Sequence, residues 1–299
     1  MVWPQDLRDE LAGIEASVTP RLRNEGLTPG VVRLFRGRLM HFYATYGRDL
    51  PWRRTTDPYR ILVSEFMLQQ TQVGRVLVKY PEFLGKFPDI ATLAGATPRE
   101  VLGAWQGLGY NRRALALHAT ARKAVREFGG SIPLDPVVLE SFPGIGAATA
   151  GAVVVFSTNL PLVFIETNIR RVFIHLFFSG VTRVHDREIE PILARTLMRN
   201  RPRDFYYALM DLGSLLMGQG NPNTRSAGYS RQSPFQGSDR QLRGEILRRL
   251  LPTGDIASGI LSDLEAARPG QLERVLGGLE RDGFIERVPG RIRCRDASG

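Results

Sequence analysis

A single cysteine, Cys294, stands in a chain of 299 residues. One thiol cannot form an intramolecular disulfide, a cysteine-based zinc site or an iron–sulfur cluster. No apolar run approaches the roughly 18 residues that a membrane-spanning helix needs. The longest candidate, VVVF at 153–156, runs straight into Ser157, Thr158 and Asn159. Met1-Val-Trp-Pro is soon followed by Asp6, Asp9 and Glu10, with no apolar signal core. A cytoplasmic protein without metal or cofactor is the expectation. Lysine is almost missing: of 40 basic residues only Lys79, Lys86 and Lys123 are lysines, which leaves 37 arginines against 30 acidic residues. A formal charge of +10 suits a polyanionic partner, because each neutralised phosphate releases counterions. Arginine enrichment from a GC-rich genome is the competing explanation. The 43% hydrophobic and 23% charged content excludes wholesale disorder.

Strand signals are also scarce. VVVF and PLVFI are short, and either reads equally as buried helix. Most of the chain shows helical spacing instead, so a mainly α fold is expected. Residues 1–30 form a charged, partly helical extension closed by Thr28-Pro29-Gly30. Val31–Tyr46 is a helix stopped by Gly47. Helical patterns separated by Gly and Pro follow from Pro58 to Gly129, and Thr97-Pro98-Arg99-Glu100 spells a capping box. Residues 218–238 shift to Gly, Asn, Ser and Gln. After them come three helical segments (240–251, 258–267, 271–282) and two short strands around Pro289-Gly290. Three helices followed by a hairpin is the order of a winged helix, expected over 239–299. A helical interaction domain without DNA contact is the bland alternative.

The residues with chemical potential are few. Phe142-Pro143-Gly144-Ile145-Gly146 reads as a tight turn between helices, whose backbone N–H groups can hold phosphate without side-chain charge. Glu65 shares a predicted helical face with Ile61, Leu68 and Gln72, where it interrupts an apolar stripe. Glu166 opens another predicted helix beside Arg170 and Arg171. Singly, each carboxylate has a bland reading, as an edge charge or a partner of the helix dipole. Together they suggest a division of labour. Apolar surroundings keep Glu65 protonated, while the helix start and the arginines keep Glu166 ionised. One acid and one anion are what cleavage of an N-glycosidic bond requires.

PWRRTTDPYRILVSEFMLQQTQV, WQGLGYNRRALALH, FPGIGAATAGAV, IETNIRRV and ALMDLG resemble, in order, blocks of MutY-type adenine DNA glycosylases of the helix–hairpin–helix (HhH-GPD) superfamily. The resemblance covers residues 31–217. It implies a bilobal α-helical fold, with lesion- or mismatch-containing duplex DNA as partner and one base flipped out for hydrolysis. A nucleoid-associated monomer is expected. By this resemblance Glu65 is the catalytic acid and Glu166 the second catalytic carboxylate. Gln70 and Thr71 lie near the extruded and opposing bases, Leu108 and Tyr110 contact or intercalate beside the opposing base, and Arg112 in the same block contacts DNA. Gly144 and Gly146 grip phosphate.

Several positions depart from the family pattern. The second carboxylate is normally aspartate, one methylene shorter than Glu166. Ala148 stands where bifunctional relatives carry a Schiff-base lysine, so abasic-site lyase chemistry through an amine is not expected. The family's four cluster cysteines are replaced by Met217, Thr224, Ala227 and Ser233. Residues 218–238 are then the loop that replaces the cluster region, with Arg225 and Arg231 suited to phosphates there. The remaining tail is too short for a MutT-like domain. Adenine opposite 8-oxoguanine or guanine leads as substrate. Thymine, uracil or an oxidised pyrimidine is the enzymatic alternative, and a non-catalytic DNA-binding regulator the alternative of another class.

Overall fold

A computed structural model describes residues 5–218 and 220–295, with fifteen helices and three strands among them, numbered here along the chain. The chain divides into two compact units. One comprises residues 1–56 and 147–231, the other 57–146 and 232–299.

The first unit is helical. It holds α1 (Gln5–Glu25), α2 (Pro29–Tyr46), α9 (Ala147–Thr158), α10 (Thr167–Phe177), α11 (Asp186–Thr196) and α12 (Pro202–Met217). Thr28 caps α2 by accepting from the Val31 amide, Pro29 fills its first turn and Gly47 ends it. The apolar stripe of α2 centres on Phe35, whose ring meets Phe173, Phe177 and Phe205 edge-on. The N-terminal extension joins this core, since α1 buries Leu11, Ile14 and Val18 along one face. VVVF lies inside α9, whereas PLVFI at 161–165 is irregular.

Close helix packing depends on two residues here. At Gly213 in α12 an added Cβ would fall 2.4 Å from the Asn168 carbonyl oxygen, so only glycine fits. Asp211 in the same helix is buried and accepts from Arg48 (Nε, 2.6 Å) and Arg53 (Nη2, 2.7 Å), anchoring the segment after α2. Paired this way, the buried carboxylate avoids the cost of an uncompensated charge.

The second unit contains α3 (Pro58–Leu68), α4 (Val73–Lys86), α5 (Ile90–Gly95), α6 (Pro98–Trp105), α7 (Arg112–Phe128) and α8 (Pro136–Glu140). The Thr97–Glu100 capping box opens α6 with both of its reciprocal bonds. The same unit includes the C-terminal segment: α13 (Asp239–Leu250), β1 (Asp255–Ala257), α14 (Ser262–Ala267), α15 (Gln271–Arg281), β2 (Ile285–Val288) and β3 (Arg291–Cys294). Its antiparallel sheet has the order β1-β3-β2, with Ile256 opposite Ile292 and Ile285 opposite Cys294. The predicted helix over 258–267 is split, its first four residues forming a 3-10 turn. β1 was not predicted; three residues carry too little alternation to announce a strand.

The C-terminal segment is fastened to the rest of its unit by arginines. Arg99 of α6 donates to the carbonyls of Leu251 (2.8 Å) and Pro252. Asp282, at the end of α15, pairs with both Arg112 of α7 and Arg243 of α13 (2.5 Å).

Candidate active site

Asp57 caps α3 through the Tyr59 amide (2.8 Å), with Pro58 in the first turn. Tyr59, Ile61, Leu62, Val63, Ser64, Phe66 and Met67 are all buried, and Glu65 is the half-buried carboxylate among them. The predicted face differs at its end: α3 stops at Leu68, and Gln72 caps the next helix instead of extending the Glu65 stripe. The cause lies in residues 69–72, where Gln70 takes a left-handed backbone (φ 53°). Tyr110, in the turn before α7, is left-handed too (φ 48°). Neither residue type favours this region, and such conformations concentrate at functional sites.

Arg113 holds these two turns together. Its buried guanidinium donates to the carbonyls of Phe66 (2.7 Å), Met67 (3.0 Å) and Gln69 at the end of α3, and to the Gly109 carbonyl (3.1 Å). It also donates to the Thr71 hydroxyl (2.9 Å). The first two carbonyls belong to the last turn of α3, where no intrahelical partner exists and a positive charge is favoured. Burial pulls the guanidinium down to about 10, leaving it charged at neutral pH. Sequence reasoning selected its neighbour Arg112 and missed Arg113. The available signal was period: Arg113 shares the inward face of α7 with Leu117, Thr120 and Ala124, whereas Arg112 points outward to Asp282.

Thr71 is thus tied inward by Arg113, and the exposed Gln70 and half-buried Tyr110 remain presented beside it. Leu108 corrects an expectation. Its side chain is 2% exposed, so in this state it is core and no wedge.

In the hairpin Gly144 has φ 76°, and a Cβ there would lie 2.8 Å from the Ala116 Cβ and 3.0 Å from Phe66. Gly144 is therefore required by conformation and by space. Gly146 is different: a Cβ would meet nothing within 4 Å, leaving its backbone open to approach.

Glu166 belongs to the other unit, as the N-cap of α10. Its Oε1 accepts from the amides of Asn168 (2.7 Å) and Ile169 (2.8 Å), and its Oε2 from Asn168 Nδ2 (3.2 Å). These bonds, with Arg171 and Arg170, favour the anion. Burial outweighs them and raises the carboxyl above the ordinary glutamate range. The expected order is thus corrected at this residue, because desolvation exceeds the cap.

The loop at the cluster positions is held by side chains. Arg225 donates to the carbonyls of Ile174 (2.9 Å) and Phe178 (2.6 Å), satisfying the end of α10. It faces inward, away from the phosphate role expected for it. Asn223 donates to the Thr167 carbonyl (2.9 Å), and Asn221 accepts from Arg171 (3.1 Å). A parallel bridge joins Val184 to Ser226.

Residues 63–196 match the family model described as "HhH-GPD superfamily base excision DNA repair protein". The adenine DNA glycosylase of Mycolicibacterium smegmatis is 34% identical over 269 residues, which span 84% of this chain and 92% of that protein. The adenine DNA glycosylase of Mycobacterium tuberculosis H37Rv is 34% identical over 76% of this chain and 82% of its own length. Among solved structures, a thermostable thymine-DNA glycosylase is similar at TM-score 0.55 and 25% identity, covering 62% of this chain and 86% of that one. With its helical units, its glycine hairpin and a single cysteine, the chain belongs to the adenine DNA glycosylase family of the HhH-GPD superfamily, as a DNA glycosylase of base excision repair that lacks the cysteines of the iron–sulfur cluster.

Proposed function

We propose that the chain is a monofunctional glycosylase that excises adenine paired with 8-oxoguanine or guanine in duplex DNA. The observation that carries this reading is likeness to an adenine DNA glycosylase over 92% of that protein's length, in a chain with Glu65 on α3 just before the strained Gln70. Glu65 donates a proton to N7 of the flipped adenine, which weakens the bond to the sugar. Glu166, ionised, stabilises the positive charge that develops on the sugar. Water adds its oxygen to the anomeric carbon, adenine departs as the neutral base and an abasic site remains. Ala148 in the hairpin cannot form a Schiff base, which supports hydrolysis without strand cleavage.

Duplex binding is assigned to the Gly144–Gly146 hairpin, to Gln70, Thr71, Tyr110 and Arg112, and to surface arginine, with a strong salt dependence. Leu108 reaches DNA only if the 107–110 turn rearranges. The C-terminal segment acts as a winged helix that adds phosphate contacts, a reading supported by its helix–strand–helix–helix–strand–strand order and its β1-β3-β2 sheet. Likeness to a thymine-DNA glycosylase structure favours a second reading, removal of thymine or uracil opposite guanine, in which Glu65 orients water because a pyrimidine has no N7.

A single-turnover panel of defined duplexes tests the assignment. Adenine opposite 8-oxoguanine or guanine is expected to yield abasic product, and Glu65→Gln to bind the same duplexes without excision. Excision of thymine or uracil instead selects the second reading. Normal turnover by Glu65→Gln rejects the acid.

A further inference from the structure

The second unit contains a cavity of about 720 Å³ that the proposed chemistry leaves unused. One wall is built from residues 69–70 and 106–113, the other from Phe235 and α13. Its volume is in the range of small-ligand pockets and exceeds the needs of one water-filled crevice. Six arginines line it and no carboxylate does. Most are committed elsewhere: Arg113 to carbonyls, Arg112 and Arg243 to Asp282, Arg248 to Glu245.

Arg240 differs. Its hydrogen bonds go to neutral acceptors, the Tyr110 hydroxyl (2.5 Å) and the Ser233 carbonyl (2.6 Å). Its guanidinium also lies 5.6 Å from the centre of the Tyr110 ring. Gln232 donates to Gln70 Oε1 (3.1 Å) and contacts the same Tyr110 hydroxyl. Both left-handed residues of the site are therefore engaged by one short stretch that leads into α13. Phe235 adds an apolar ring, 63% exposed, at the cavity wall.

We propose that this cavity takes the nucleotide of the strand opposite the extruded base, and that Arg240 reads a guanine-type base there. A guanidinium fork matches the two acceptors on the O6/N7 edge of guanine, an arrangement no pyrimidine presents. Phe235 supplies a stacking face and Gln232 hands Gln70 and Tyr110 over to the DNA as it enters. Specificity for the partner base is thus contributed by the C-terminal segment, through the start of α13 and with no part for the hairpin strands. The inference rests on the proposed action at mispairs only for which strand enters.

Equilibrium binding tests it without any excision step. The probes are fluorescent duplexes with a tetrahydrofuran abasic analogue opposite guanine, 8-oxoguanine, cytosine or thymine, at one fixed salt concentration. The wild-type chain is expected to prefer the guanine-type partners at least tenfold over the pyrimidines. Arg240→Ala is expected to shrink that ratio to about twofold, and Arg240→Lys, which keeps the charge but loses the fork, to leave it below half. A wild-type chain without preference overturns the proposal. So does a uniform loss of affinity for all four duplexes in Arg240→Ala, which marks a phosphate contact only. Absence of adenine excision alongside an intact partner preference would instead reject the proposed reaction and leave this pocket standing.

Discussion

Replacing Arg113 by methionine removes one charge and leaves the acceptors it serves inside the protein. Two of them, the Phe66 and Met67 carbonyls, are buried at bonds of 2.7 and 3.0 Å. A buried acceptor left without a partner costs about 1–3 kcal/mol, so the pair alone sets a loss of roughly 2–6 kcal/mol. The Gln69 and Gly109 carbonyls and the Thr71 hydroxyl lie nearer the surface, where water replaces the donor at small cost. Arg113→Lys presents a single point charge to acceptors spread around a fork and is expected to lose about half as much. The neighbouring Arg112→Met serves as control. That side chain is 74% exposed and its partner Asp282 keeps Arg243, so a change of at most about 1 kcal/mol is expected. Native-state hydrogen exchange at α3 and the 69–72 turn reads the effect locally, with urea unfolding as the global measure. If Arg113→Met stays within about 1 kcal/mol of the parent, the view that one guanidinium organises both turns is wrong.

Glu166 and the hairpin glycines make further expectations. Because burial raises the Glu166 carboxyl, the folded chain holds that proton to higher pH than the unfolded chain does. Its contribution to stability is complete below the ordinary glutamate value and is lost as pH rises through the raised one; Glu166→Gln is expected to flatten that slope in pH-dependent unfolding. In the same window the single-turnover excision rate of the parent climbs as the anion forms, and an acid limb at or below the ordinary glutamate value contradicts this. Gly144→Ala combines a left-handed penalty with overlap against Ala116 and Phe66, together about 2–4 kcal/mol of destabilisation by urea titration. Gly146→Ala meets open space, so it is expected to unfold like the parent while binding duplex more weakly; parental affinity refutes a close phosphate approach there.

Local signals were legible in the sequence wherever a few neighbouring residues decide the outcome. Thr28 and Gly47 bound α2 as expected, and Thr97 with Glu100 makes the capping box that opens α6. The motif order located Glu65, Gln70, Tyr110 and the hairpin before any coordinate was known. What escaped depends on long-range packing. Nothing near Leu108 states that its side chain is enclosed, and nothing near Arg225 says that it will cap α10 from about fifty residues away. The left-handed backbones of Gln70 and Tyr110 contradict local preference, and only the Arg113 network makes them tolerable. The Glu166 ionisation was misjudged because charge neighbours are visible in a sequence and desolvation is not.

The staple formed by Asn221, Asn223 and Arg225 has a physiological corollary. Amide and guanidinium groups neither rust nor await delivery by an assembly pathway. A repair factor whose corresponding loop is fixed this way keeps its shape when iron is withheld, and keeps it under the same oxidative stress that creates its lesions.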